Sequence, residues 1–159
     1  MDTTGFGRPL TAFSMLVPTH WKTQGGIVWA PNNRCNRSGY FFAFGAGNEA
    51  ETEGVAILPQ ITWTTQPGTA CPQLQVGGAR DLLTIYAQQL AEGAQVIDYR
   101  PRPDLMKDLQ ALAYRNDYGG MVSEQAVDAG EVLIAYQENG RDMRGTLSAA
   151  VIMWRIATP

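Results

Sequence analysis

The phrase Phe13-Ser14-Met15-Leu16-Val17-Pro18-Thr19-His20-Trp21, answered by Gly26-Ile27-Val28-Trp29, sets the character of the first half of the chain. Phe13, Met15 and Val17 alternate with Ser14 and Leu16, the period of a β-strand. Pro18 ends the ladder because it has no N–H to donate. The spacing predicts a strand over Phe13–Val17, a turn at Gly25-Gly26 and a return strand over Ile27–Ala30. Pro31-Asn32-Asn33 is turn chemistry. The run Tyr40–Phe44 is too aromatic for a half-exposed edge and reads as a strand packed on both faces. Gly45–Gly54 is a polar excursion, after which Val55–Leu58 and Ile61–Thr64 resume strand character around Pro59.

The second half changes period. Between Ala79 and Ala91 the apolar positions Leu82, Leu83, Tyr86 and Leu90 form a helical stripe, with Gly77-Gly78 before it and Gly93 after it, where a terminating glycine is expected. Gln95–Tyr99 reads as a short strand. A second helix opens at Pro103-Asp104, a proline tolerated and an acid favoured in the first turn, with Leu105, Leu109 and Leu112 as its stripe. Asn116–Gly120 reads as a loop. The chain closes on a hairpin, Val132–Gln137, Asn139-Gly140 and Thr146–Ile156, with the strongest of the two-residue turn signals between its arms. In the last strand both alternating sets are apolar, Leu147, Ala149, Val151 and Met153 against Ala150, Ile152 and Trp154, the pattern of an interior strand buried on both faces.

The predicted fold class is α+β, a mainly antiparallel β-sheet flanked by two main helices. Residues 1–12, rich in Gly and Thr, read as a loosely held arm, and 13–159 as a single domain. At 159 residues the chain is long enough to bury a core without staples. A net charge of −3 lacks the concentrated basic surface that phosphate backbones require, so nucleic acid is not an expected partner. No stretch approaches the roughly 18 apolar residues of a membrane-spanning helix, and Met1–Gly7 has neither the basic flank nor the apolar core of a signal peptide.

Pro18-x-x-Trp21 at the end of an early strand, the return through Ile27-Val28-Trp29, the helix Ala79–Ala91, the strand through Val96–Tyr99 and the late turn at Asn139-Gly140 together resemble PsbP-like domains, over residues 13–156. The resemblance implies an α/β/α sandwich, a non-catalytic assembly or binding role and an extracytoplasmic setting. No metal-ligand set of that family is matched in this chain, and no photosynthetic role is carried over.

Chemistry-bearing residues are sparse. Cys35 and Cys71 lie in polar, turn-like contexts; one disulfide between them would add about 3–4 kcal/mol by loop closure, the alternative being two unrelated thiols in a reducing compartment. They lack the spacing of a redox or zinc motif. Glu49, Glu51 and Glu53 alternate, and on a strand would line up three carboxylates for a hard cation such as calcium; in a loop they would spread into water. His20, the sole histidine, has no acid or cysteine at ligand spacing. Asp98, Arg100, Arg102 and Asp104 form a charged knot, read as local salt bridging and helix capping with an anion site as the alternative. The glycine pairs lack a phosphate-loop pattern. Trp21, Trp29, Trp63 and Trp154 with Tyr40, Phe41, Phe42 and Phe44 read as core, or as an apolar groove.

No cofactor and no catalytic residue is predicted. The leading expectation is a non-enzymatic, extracytoplasmic module binding an unknown protein partner through exposed sheet faces and the loops Pro31–Gly39 and Gly45–Gly54. The alternatives are a small-ligand or cation binding protein, and an enzyme drawing an acid/base pair from scattered carboxylates such as Asp98 and Glu131.

Overall fold

The computed structural model describes residues 11–36 and 38–157, and the greater part of the arm 1–12 therefore lies outside the described residues. The chain forms two compact units, Met1–Gln75 and Val76–Pro159. Both are built on antiparallel sheet, and two short helices belong to the second, so the fold is α+β.

The first unit is a three-stranded meander: β1 (Lys22–Trp29), β2 (Tyr40–Gly47) and β3 (Gly54–Ile57), with β2 in the middle. Three expectations are corrected here. Phe13–Val17 is not a strand; the Phe13 ring packs without a ladder, 5.1 Å from Phe42 and 6.0 Å from Phe44, and Leu16 is fully exposed. Gly25-Gly26 is not a turn but the middle of β1, where Gly25 pairs with Phe44 at φ +119°. A Cβ there would run into the Ala43 carbonyl oxygen, so the glycine permits a close backbone approach rather than a reversal. Pro18–Trp21 does reverse, with the Trp21 N–H donating to the Pro18 carbonyl at 3.0 Å. Ile61–Thr64 forms no strand either. A single bridge, Thr64 to Gln73, is what pairs this region; Pro59 and Pro67 deny it a longer ladder.

The second unit is organised by one long hairpin. β6 (Met121–Glu138) and β7 (Arg141–Ala157) pair without a register shift from Val122↔Ala157 to Glu138↔Arg141. Asn139 and Gly140 turn it at φ +51° and +75°, the left-handed pair that a tight hairpin with native twist requires. On the other edge of β6, β4 (Gln95–Pro101) pairs with residues 130–135 and β5 (Tyr114–Tyr118) with residues 121–125. β5 overturns the loop expected at Asn116–Gly120. Only Gly119 and Gly120 turn, at φ +59° and +93°.

Helix α1 (Ala79–Leu90) lies on one face of the hairpin. At 12 residues it is marginal alone and is held by packing, since Leu82 and Leu83, each 6% exposed or less, are worth about 1.5–3 kcal/mol apiece. Leu83 and Ala87 meet Val132 and Ile134 in the core, edged by Tyr99, Tyr136, Leu147 and Ala149. Ala87 is fully buried while Leu90 is 48% exposed, so the buried stripe runs off the predicted one at its last turn. The helix has no side-chain cap of its own at Gly78. Asp128, from β6, accepts the Ala79 N–H at 2.7 Å instead, and a Cβ on Gly78 would sit 2.5 Å from that carboxylate oxygen.

The second helix, α2, is Pro103–Leu109, followed by a 3-10 turn over Gln110–Leu112; it buries no residue completely. The last strand is the largest correction. β7 pairs with β6 alone among the described strands and is therefore not interior. Val151, under α1, is 2% exposed, whereas Ile152 and Trp154 are 46% and 55% exposed.

Candidate interaction surface

Because strand side chains alternate between faces, the register of the hairpin sorts its residues into two sets. Val132, Ile134, Leu147, Ala149 and Val151 face α1. On the opposite face, toward the end of the hairpin away from Asn139-Gly140, lie Met121 and Val127 of β6 and Ile152, Trp154 and Ile156 of β7. β5 extends that row, Tyr114 standing opposite Gln125, itself opposite Trp154, and Tyr118 opposite Met121.

This outer row is exposed: Tyr114 41%, Tyr118 63%, Met121 42%, Trp154 55% and Ile156 57%, with Ile152 as above. With large aromatic side chains at about 150–250 Å² each, the six present on the order of 600 Å² of mainly apolar area. Asn116, Ser123 and Gln125 stand among them on the same face, yet this much exposed apolar area gathered on one face of a sheet marks an interaction surface. Two polar groups of this face are engaged from within, the Trp154 indole N–H donating to Ser123 Oγ at 3.0 Å and the Gln125 amide to the Leu112 carbonyl at 2.7 Å. The face beneath reads the other way, with Arg115, Glu124 and Arg155 in one cross-strand row over β5, β6 and β7.

Near the Asn139-Gly140 end the outer face is polar. Asp98, Arg100, Glu131, Leu133 and Thr146 line a recess of about 70 Å³, which brings together the two carboxylates named as an acid/base pair. Each is engaged by an arginine: Asp98 by Arg100 Nε at 3.0 Å, Glu131 by Arg102 at 2.8 Å. Arg102 also grips Asp104 with two N–H groups, at 2.9 and 2.6 Å. That grip pulls the Asp104 carboxyl down to about 2, and hydrogen bonding to Asp104 raises the already high pKa of Arg102. The salt-bridging half of the reading of the charged knot holds, while the capping half does not, since Arg102 at the start of α2 makes no side-chain cap. The recess is several-fold smaller than the roughly 300–1,000 Å³ of a small-molecule site.

The remaining candidates sit in the first unit. Cys35 and Cys71 form a disulfide, Cα–Cα 5.2 Å. It ties the β1–β2 loop, where Asn36 is 5% exposed and takes hydrogen bonds from Ser38 and Gln60, to the segment beyond Pro59. Glu49, Glu51 and Glu53 occupy the β2–β3 connection rather than a strand. Asn48 organises that connection, its Oδ1 accepting from the Thr52 and Glu53 N–H groups at 2.9 and 3.3 Å. Glu51 is at φ +54°, and Glu49 pairs with Lys22 at 2.9 Å, both side chains exposed. Among the described residues no three His, Cys, Asp or Glu side chains converge on a metal position. His20 is exposed. No helix of the described residues is long and apolar enough to cross a membrane.

Tyr114, Tyr118 and Met121 escape a reading of the sequence that takes residues 116–120 as a loop. The signal was the Gly119-Gly120 pair, an acceptable hairpin turn between two aromatic- and Val-bearing arms. Comparison with family models, curated proteins and solved structures finds no match to this chain.

Proposed function

We propose that the protein is a non-catalytic binding or assembly module, working outside the cytoplasm, that engages a protein partner through the outer face of β5, β6 and β7. The observation that carries this reading is the concentration of exposed Tyr114, Tyr118, Met121, Ile152, Trp154 and Ile156 on one face of a regular sheet. Such a face suits a partner because its anchors are aromatic and set on a rigid scaffold, the combination that concentrates binding energy at interfaces. The Cys35–Cys71 disulfide supports an oxidising compartment. The PsbP-like reading and its α/β/α sandwich belong to the same proposal, supported by the turn at Pro18–Trp21 and by α1 on one face of its sheet.

The test is capture from an extract of the native host with the immobilised protein, comparing the parent with Trp154→Asp and Tyr118→Asp. The expected result is a specific polypeptide retained by the parent and lost with either variant, while the circular dichroism of all three coincides. Equal retention by folded variants refutes the assignment of the face, and retention of nothing by the parent refutes the assembly role.

A further inference from the structure

We propose that a second copy of this chain pairs with the free edge of β7, antiparallel across a two-fold axis, so that two four-stranded sheets become one. The observation is the edge itself, not the apolar face. β7 runs 17 residues with one side on β6 and, among the described residues, no strand on the other. Natural sheets blunt such an edge with a bulge, a proline or a charge. β7 has none along its middle: its register with β6 is unshifted throughout, no proline lies between Arg141 and Ala157, and Gly145–Trp154 carries no charge. An uncharged, β-prone, unprotected edge is a template for another strand.

The charges at its two ends select a second copy as the occupant. A two-fold axis perpendicular to the sheet keeps each side chain on its own face, so residues of like parity must stand opposite one another. A pair centred on Ala149 sets Arg144 opposite Trp154 and Arg155 opposite Met143. Centring on Ala150 sets Arg144 opposite Ile156 and Arg155 opposite Gly145. In both, the uncharged stretches overlap over all but one of their residues and no arginine faces another; a shift to a centre at Ser148 would put Arg141 against Arg155, a like-charge pair that destabilises a ladder. The Ala149-centred register also lays a guanidinium beside the exposed Trp154 indole, a favourable contact. Closure by a two-fold axis leaves neither β7 edge open for further growth.

Sedimentation equilibrium of the oxidised full chain over a dilution series, with amide hydrogen exchange on the same samples, tests this. The expected result is a species of twice 17.4 kDa that dissociates on dilution, with outward-pointing amides of 145–154 exchanging more slowly as concentration rises. Ala150→Lys sets two ammonium groups at the axis in the Ala150-centred register and one residue to either side of it in the other, and is expected to yield a monomer of unchanged circular dichroism. Should that variant misfold, Ser148→Lys, at another exposed position of the same edge, serves instead. A 17.4 kDa species at every concentration, or a dimer that the folded lysine variant leaves intact, overturns the proposal. Either result leaves the partner face standing or falling on the capture experiment alone.

Discussion

Cutting the disulfide is the perturbation whose size follows most directly from the structure. Cys35 and Cys71 are 36 residues apart, and closing a loop of that length removes about 3.8 kcal/mol of chain entropy from the unfolded state. Little else holds the far end of the loop: beyond β3, residues 58–75 carry one isolated bridge. Cys35→Ser/Cys71→Ser is therefore expected to destabilise the first unit by about 3–4 kcal/mol. The assay is urea unfolding in a Trp154→Phe background, where the remaining tryptophans, Trp21, Trp29 and Trp63, all belong to that unit. With a denaturant slope of about 1–3 kcal/mol/M, the midpoint should fall by at least about 1 M. A companion variant separates loop entropy from local contacts. Inserting a few glycines between Gln66 and Thr69, with the bond intact, lengthens the loop but costs only about 0.1–0.2 kcal/mol. A double serine variant that loses less than about 1 kcal/mol, or a glycine insertion that loses as much as the bond itself, refutes the loop-closure account.

Three further outcomes are expected. Asp128→Ala removes the acceptor for the Ala79 N–H at the start of α1 and should cost about 1–2 kcal/mol in thermal unfolding; an unchanged melting temperature would mean that water replaces the cap. Gly130→Ala sets a Cβ 2.6 Å from the Tyr99 ring, an overpacking worth about 1–3 kcal/mol. Tyr99→Ala should cost less in that background than in the parent, and a double-mutant cycle with no coupling would show that the ring is not the obstacle. Asp104, held at about 2 by Arg102, has a folded value below its unfolded one. Its contribution to stability is therefore complete above about pH 4 and is lost as pH falls through about 2. Arg102→Gln should return the Asp104 carboxyl to the ordinary range in an NMR titration; a curve that does not move would refute the attribution.

What the sequence made legible were the elements whose signals are local. Asn139-Gly140 fixes its hairpin because two left-handed residues in succession leave few alternatives, and the α1 stripe was visible because four apolar residues share one helical face. Gly25 was misread because a glycine pair is the same signal whether the chain must reverse or must let a neighbouring carbonyl approach; only the register with β2 distinguishes them. β5 was missed for a related reason. Tyr114-Arg115-Asn116-Asp117-Tyr118 has little strand propensity of its own and is extended by pairing with β6, a tertiary cause that no window of five residues contains.

The misreading of β7 is the one that bears on function. Two apolar alternating sets read as a strand buried on both faces, but the sets occupy different stretches of it. The inner set runs Leu147, Ala149, Val151 and Met153 and gives way to Arg155; the outer set begins Asp142, Arg144, Thr146 and Ser148 and turns apolar only at Ala150, Ile152, Trp154 and Ile156. β6 does not repeat the shift so plainly: its outer set carries Leu133 and Ala135 near the turn and Gln125 and Ser123 beside Val127 and Met121. Amphipathicity thus changes sides along β7. One half is apolar where α1 covers it. The other half is charged on that side and apolar on the opposite one, where six large side chains remain exposed. A strand selected only to close the core of its own unit would have no reason to exchange its faces partway along. The exchange is the pattern expected of a strand with two apolar contacts to make, one with its own helix and one with a partner.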